Sequence, residues 1–410
     1  MLNAHQPLPA PTPGRPRIVI VPFAPTPYQV HLAGRLTAEL PEAEFAFLYA
    51  DESPDQNWTI EMPGGVLAAH LATNCPPSGK GSLLDQRKFF HRGKTMIDWV
   101  KRSGAGAVVC YGHNDLGRLR LARWCGRNGV PFFLAADSNS LLDRPTGWKR
   151  LVKDSYMRAF LGRATGVMVF GRRGAEYFAR YGVPATRAFF VPYEPDYSAL
   201  ESVSQADAAD ACRTFSLDPA RRRIVFCGRL LGLKRVDLLI DAFARIAADR
   251  PSWDVAIIGD GPERSALQAR VPESLKDRFR WLGFVSDART IGAIYRACDV
   301  LALPSDYEAW GLVVNEAMFL GLSVATSNIV GAAAHLVREG EPGEGANGRT
   351  FQRGDAGAFA RALSDLTDPL LADSFKANSG GILAAYRMEA DPVLGMRRAL
   401  IAAGVLRADR

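Results

Sequence analysis

Two carboxylates, Glu308 and Glu316, lie eight residues apart around Gly311 in the run Glu308-Ala309-Trp310-Gly311-Leu312-Val313-Val314-Asn315-Glu316. A carboxylate accepts hydrogen bonds from a vicinal diol such as a ribose or a hexose. A helix N-terminus offers free N–H groups and a positive dipole end, so it binds anions, phosphate above all. Before the motif, Asp299-Val300-Leu301-Ala302-Leu303-Pro304-Ser305 reads as a short buried strand running into a turn. After it, Leu312 to Leu320 is apolar at helical spacing and stops at Gly321. Glu308 is therefore expected on the loop at the carboxyl end of a strand, and Glu316 a little over a turn into the next helix. Ligands bind at that edge of open α/β sheets. Gly311 lets the backbone come close to an anion. Phosphate on the helix, with a Glu on either side for hydroxyls, suits a sugar nucleotide. On spacing alone an ordinary acidic loop and helix fits equally well, since Glu is common at helix starts.

The region upstream changes that balance. Arg222 to Cys227 is a charged entry into a short apolar strand, followed by Gly228-Arg229-Leu230-Leu231-Gly232-Leu233-Lys234. A helix is expected from about Val236 to Ala248. Strand, glycine loop and helix form a phosphate-binding layout, and Arg229 and Lys234 bring two cations to it. The Lys-Ser/Thr pair of the Walker loop is absent, and so is the dinucleotide fingerprint. A third strand, Trp253 to Ile258, runs into Gly259-Asp260-Gly261-Pro262.

The elements that must carry these loops alternate strand and helix along the whole chain, which implies parallel sheets. In the first half, Arg17–Pro22, Phe45–Tyr49, Ala107–Tyr111, Phe132–Ala135 and Gly166–Phe170 read as strands, with a helix from about Tyr28 to Leu40. A chain of 410 residues, 48% hydrophobic and 23% charged, is long enough for two domains with separate cores. Cysteines 75, 110, 125, 212, 227 and 298 show no metal-ligand spacing and read as free thiols in a reducing compartment. No apolar run reaches the ~18 residues of a membrane span. The first residues, rich in Pro, lack the apolar run of a signal peptide.

In order and spacing these pieces resemble the retaining glycosyltransferases of family 4, which have the two-domain GT-B fold. The matching residues are Phe226-Cys227-Gly228-Arg229-Leu230 with Lys234, Ile258-Gly259-Asp260-Gly261-Pro262, Leu282-Gly283-Phe284-Val285, Ala297-Cys298-Asp299-Val300, Leu303-Pro304-Ser305, the paired-Glu motif and Asn347-Gly348. The resemblance runs from about Ile18 to Arg398. In the first half, Pro131 to Asn139 and Gly182-Val183-Pro184 leading to Phe190-Val191-Pro192-Tyr193 look like a subset found in bacterial surface-polysaccharide clusters.

The implied fold is α/β of the GT-B type: two Rossmann-like, doubly wound parallel-sheet domains facing a central cleft. The implied division is a disordered Pro-rich tail (1–16), an acceptor-binding domain (17–195), a linker (196–220) and a nucleotide-sugar-binding domain (221–384), with helices from about 385 to 410 crossing back. The implied activity moves a hexosyl unit, with retention, from a UDP- or GDP-sugar to a glycan or lipid-linked hydroxyl acceptor in exopolysaccharide or lipopolysaccharide assembly. It needs no cofactor or metal, in keeping with the absence of Asp-x-Asp. By the same resemblance Arg229 and Lys234 hold the diphosphate, Glu308 contacts the donor sugar and Glu316 the ribose. Gly228, Gly259, Phe284, Gly311, Leu312 and Val313 complete the donor pocket. His113, on the loop after Ala107–Tyr111, is a candidate for the donor sugar or the acceptor pocket, or a loop histidine without contact. Tyr28, His31 and Asp137 are acceptor-side candidates; His31 reads equally as a helix-face residue and Asp137 as a turn cap. The family's Gly pair before the first helix is missing here: Pro27 and Tyr28 stand there.

Charge is uneven. Residues 1–195 carry 24 Lys and Arg against 15 Asp and Glu; the rest carry 26 against 28. From Trp148 to Arg163, aromatic and aliphatic residues interleave with Lys149, Arg150, Lys153, Arg158 and Arg163. Such a face can rest on anionic membrane at the cytoplasmic side, or turn its apolar side into the domain core. Charge alone also admits nucleic acid, but no reading motif accompanies it. A dehydrogenase is excluded by Pro22-Phe23-Ala24-Pro25-Thr26-Pro27 where G-x-G-x-x-G is required. A non-catalytic sugar-nucleotide sensor or scaffold of the same fold remains as the alternative.

Overall fold

The computed structural model describes residues 2–3, 8–50, 61–71, 85–113, 115–143 and 145–408. Cys75 lies outside them. The chain divides into two compact units: Met1–Glu194 with Ala390–Arg410, and Pro195–Glu389.

The first unit is built on strands β1 (Leu2–Asn3), β2 (Arg17–Val21), β3 (Glu44–Tyr49), β4 (Leu67–His70), β5 (Ala105–Tyr111), β6 (Phe132–Ala136), β7 (Gly166–Val169) and β8 (Ala188–Phe190). They are all parallel, in the order β1-β4-β3-β2-β5-β6-β7-β8. Helices α1 (Pro27–Glu39), α2 (Asp85–Ser103), α3 (Leu116–Arg127), α4 (Gly147–Leu161) and α5 (Arg172–Ala179) connect them. The central strands are apolar throughout because both sheet faces are covered: β2, β6 and β7 are buried end to end. The sequence order reverses between β2 and β5, so their carboxyl ends flank this sheet's ligand-binding edge.

The second unit begins at Pro195 and takes in the whole stretch expected as a linker. Residues 196–220 form α6 (Tyr197–Glu201) and α7 (Gln205–Thr214). Asp196 caps the first, and a Ser204–Asp207 capping box starts the second. Strands β9 (Arg222–Cys227), β10 (Trp253–Ile258), β11 (Phe279–Gly283), β12 (Val300–Leu303), β13 (Ser323–Ser327) and β14 (Gly348–Phe351) form a parallel sheet ordered β11-β10-β9-β12-β13-β14. That is the doubly wound order with its switch point between β9 and β12. The helices are α8 (Val236–Ile246), α9 (Arg264–Arg270), α10 (Ala288–Arg296), α11 (Leu312–Phe319), α12 (Ala333–Leu336), α13 (Ala356–Leu366) and α14 (Ala372–Glu389). The last helix, α15 (Pro392–Ala402), belongs to the first unit, so the return starts at Ala390 rather than near 385. Asp391 caps it from Val393 N and Leu394 N and also takes Arg35 Nη2 at 2.8 Å.

The Pro-rich stretch 1–16, expected as a disordered tail, is held in place where it is described. Arg17 donates to Pro9 O at 2.9 Å, Thr12 N to Glu44 at 3.0 Å, and Arg15 to Ala43 O at 2.9 Å. The free cysteines Cys110, Cys125 and Cys298 are buried, and Cys212 and Cys227 partly so. Among the described residues no helix is long and apolar enough to cross a membrane.

One polar device sits inside the first unit. Asp115 N-caps α3 through Arg118 N (2.9 Å) and is ion-paired to Arg92 (2.9 Å) and to Arg118, all three side chains fully buried. Burial alone would raise the carboxyl, but the Arg118 and Arg92 guanidinia hold it below the ordinary range. Removing the carboxylate strands two buried cations. Asp115→Ala is expected to destabilise this unit by about 3–5 kcal/mol, read as a lower midpoint of its transition in scanning calorimetry.

Candidate active site

In the second unit the loops after β9, β10 and β12 meet at the switch point. Gly228 N donates to Ile258 O (3.0 Å), Leu230 N to Asp260 O (2.9 Å) and Gly259 N to Gly283 O (2.7 Å). The first two loops touch backbone to backbone. A Cβ on Gly259, whose φ is +134°, would stand 2.0 Å from Gly228 O. Only glycine fits there, and the result is a floor of main chain without side chains. Phe284, directly after β11, is 52% exposed beside this floor.

Lys234 closes the 3-10 turn Gly232–Lys234, and its ammonium is ion-paired to the Glu308 carboxylate, each side chain about one fifth exposed. The loop carrying Glu308 is held from below by Gly331 N on Glu308 O (3.2 Å) and Ala332 N on Trp310 O (2.9 Å). Gly311, with φ +96°, turns the chain into α11. A Cβ there would lie 3.2 Å from Glu308 Cγ, Leu303 and Val330 alike. No side chain caps α11 and its first turn holds no acidic residue, so the N–H groups of Leu312 and Val313 remain for an anion. Glu316 is 8% exposed and accepts from Tyr295 OH at 3.5 Å. Arg229 is exposed, and its side chain has no polar partner among the described residues. The structure thus brings Gly228, Gly259, Lys234, Glu308, Gly311, Leu312, Val313 and Glu316 to one sheet edge. Asn347 is not part of it. It is buried and ties Arg338 N and Leu336 O together.

Sequence reasoning missed the braces of this site. Arg235, in the left-handed region at φ +53°, binds Asp237 and Asp306 at 3.0 Å each and so anchors the approach to Glu308. Trp310 donates to Asn315 at 3.0 Å, which donates to Tyr197 OH at 3.2 Å. A bulky residue at positive φ leaves no compositional trace, and the Tyr197 partner is more than a hundred residues away.

In the first unit, His113 follows β5 at its switch point. Its Nε2 lies 3.4 Å from Tyr177 OH, which donates to Asp143 at 3.0 Å; Asp143 is ion-paired to Lys153 of α4. Tyr156, also on α4, donates to His113 O at 2.7 Å. His113 Nδ1 is buried without a partner among the described residues. Burial, then the Lys153 and Arg118 charges, push the imidazole down to about 4. Asp137 is exposed just past β6, and Tyr28 is partly buried at the start of α1. The start of α1 is sealed: Thr26 Oγ1 accepts from Gln29 N at 3.3 Å, and Pro27 brings no N–H. His31 lies 3.6 Å from Glu194, in the cluster where Arg35 pairs with Glu194 and Asp391. That geometry accounts for His31 as a helix-face residue. The Gln29 side chain donates to Tyr193 OH at 2.8 Å.

Known proteins resemble this chain in sequence and in fold. Residues 221–368 match the family of glycosyl transferases group 1, and residues 24–194 match the glycosyl transferase 4-like domain. The chain is 31% identical to D-inositol 3-phosphate glycosyltransferase 2 of Catenulispora acidiphila, over 75% of this chain and 74% of that one. It is 34% identical to the lipopolysaccharide core biosynthesis mannosyltransferase LpsB of Rhizobium meliloti, over 33% of this chain and 39% of that one. A match to a further D-inositol 3-phosphate glycosyltransferase, from Rhodococcus opacus, spans 44% of the relative's length. Among solved structures, Anabaena Alr3699/HepE in complex with UDP and glucose superposes with a TM-score of 0.65 at 16% identity, covering 96% of this chain and all of that one. At that identity the likeness speaks for the fold.

The neutral His113 has a measurable consequence. Between its ordinary value of 6.5 and about 4 the unfolded chain binds a proton that the folded chain does not. Stability from this group is therefore complete above 6.5 and falls as the pH drops through that window. Histidine NMR titration is expected to show one imidazole with a midpoint near 4, lost in His113→Gln, whose acid sensitivity over that window is correspondingly smaller.

Proposed function

The chain belongs to the glycosyl transferases group 1 family, and from that premise we propose that it transfers a hexosyl unit from a nucleoside-diphosphate sugar to a hydroxyl acceptor with retention and without a metal. One observation carries the reading. The Lys234–Glu308 pair stands beside the uncapped start of α11, at the switch point of a doubly wound sheet.

In this reading the diphosphate lies on the glycine floor, with the Leu312 and Val313 amides and the Arg229 and Lys234 cations around it. Glu316 receives the ribose hydroxyls, Phe284 flanks the base, and Glu308 accepts from the donor sugar. The acceptor oxygen bonds to the anomeric carbon on the face from which the diphosphate departs, and a departing phosphate oxygen takes the acceptor proton. Negative charge grows on the diphosphate as its bond to the sugar breaks. Fixed cations and amides aimed at that charge lower the barrier, so Glu308 positions and stabilises rather than attacks. His113 and Asp137 line the acceptor side in the first unit. The acceptor is a glycan or lipid-linked intermediate of surface-polysaccharide assembly, met at the cytoplasmic face of the membrane by peripheral contact. The mannosyltransferase relative of lipopolysaccharide core synthesis supports that placement.

Lys234→Ala and Arg229→Ala are each expected to lower kcat about 10²–10³-fold while the acceptor KM changes little. Steady-state assays on sugar nucleotides, with UDP-glucose as first donor, measure this. Near parental turnover in either variant would sink the assignment. Tight donor binding in a thermal-shift assay with no transfer to any acceptor would leave a sensor of the same fold.

A further inference from the structure

The apolar side of α4 does not all enter the core. Met157, Phe160 and Leu161 in its second half are buried, as one of the two sequence readings expected. Trp148, Leu151 and Val152 in its first half are 70%, 71% and 60% exposed. At spacings of three and four residues they form one continuous stripe, flanked by the exposed Lys149 and Arg150. A helix so divided is anchored at one end and bare at the other.

The surface around it is basic. α3 packs against both α2 and α4. Together the three helices hold 14 Lys and Arg against three Asp and no Glu. Between α2 and α3 lies an open groove of about 790 Å³ rimmed by Lys94, Lys101, Arg123 and Arg127 with Asp98 among them, and with Arg163 arriving from the end of α4. Phe90 is 45% exposed on that rim under Arg120, whose guanidinium sits 4.2 Å above its ring. The buried Asp115 cluster neutralises Arg92 and Arg118; of the outer cations Lys88 pairs with Asp85, Arg150 with Asp154 at 3.7 Å and Lys153 with Asp143, and the remaining excess of Lys and Arg leaves the face basic.

We propose that the first two turns of α4, on the basic face that this helix shares with α2 and α3, form a docking surface for an anionic lipid bilayer. It rests on the peripheral placement proposed above and assigns its residues. Trp148, Leu151 and Val152 enter the boundary between headgroups and acyl chains, and the surrounding Lys and Arg meet the negative headgroups. Charge selects this occupant. A second copy of the chain on the same face would set two strongly basic surfaces against each other. Nucleic acid would satisfy the cations but offers nothing to an exposed Leu–Val stripe.

The test is co-sedimentation of the full chain with vesicles of phosphatidylcholine alone, or with about one third phosphatidylglycerol. The chain is expected to bind the anionic vesicles, to bind the neutral ones weakly, and to dissociate when salt is raised about tenfold. Combined Trp148→Ser, Leu151→Ser and Val152→Ser, and separately Lys149→Glu with Arg150→Glu, are each expected to reduce the bound fraction at least about tenfold. Circular dichroism and a UDP-glucose thermal shift should match the parent, since all five side chains are exposed. Three outcomes would overturn the proposal: parental binding by the triple-Ser variant, a parental dimer that the triple-Ser change makes monomeric, or retention of duplex DNA without vesicle binding. Vesicle binding with no response to any sugar nucleotide would count against the donor-site reading alone and leave the docking surface standing.

Discussion

The contact between Lys234 and Glu308 joins the two loops on which the second unit's site depends. Each loop leaves a different strand, β9 and β12, and the strands pair directly through Val300 against Ile224. The sheet thus fixes the loop roots, and the ion pair fixes their tips. A partly exposed pair of this kind adds little stability. Its value is positional. A lysine held between a carboxylate and an uncapped helix start is already aimed where a phosphate would lie.

The two units have related sheets but opposite helix starts at the switch point. In the second, Gly311 supplies a tight positive-φ turn and no side-chain oxygen, so α11 keeps its amides open. In the first, the counterpart of α11 is α3, which the buried Asp115 side chain caps, and α1 after β2 is capped by Thr26 with Pro27 removing one amide. The same topology therefore yields one edge with open helix amides and one edge with capped helix starts and aromatic groups, Tyr193 stacked on Tyr111 at 5.3 Å and Phe170 packed edge-on at 4.9 Å, beside the exposed Asp137. The asymmetry fits an anionic donor on one unit and an uncharged hydroxyl partner on the other.

How much of this was legible follows from the range of each interaction. Strand ends and helix starts depend on local pattern. Arg222–Cys227, Trp253–Ile258 and the helix beginning at Leu312 are found at the expected positions. The glycine loop with Lys234 and the paired carboxylates could be read because type and spacing carry the chemistry. Long-range pairings could not. Nothing local says that Arg235 adopts a left-handed backbone to bind Asp306, or that Asp391 at the far end of the chain caps α15 and binds Arg35. The stretch 196–220, read as a linker with a short helix, holds two helices, because its Asp196, Ser204 and Asp207 serve as helix caps. The amphipathic stretch after Trp148 was legible as a helix, but its division into a buried and a bare half was not.

That helix also reaches the chemistry of its own unit. Tyr156 of α4 fixes the main chain of His113, and Lys153 of α4 fixes Asp143, which takes the Tyr177 proton. With its proton committed to Asp143, the Tyr177 oxygen can only accept from the imidazole. The neutral ring then carries its hydrogen on Nε2, and Nδ1 is left as a bare acceptor. An acceptor nitrogen in a water-poor site suits a neutral hydroxyl and repels an anion's lone pairs. The side chains that brace α4 against the sheet therefore also choose the tautomer of His113. Anything that shifts α4 therefore acts on both the outer face of this unit and the buried Nδ1 of His113, which has no partner among the described residues.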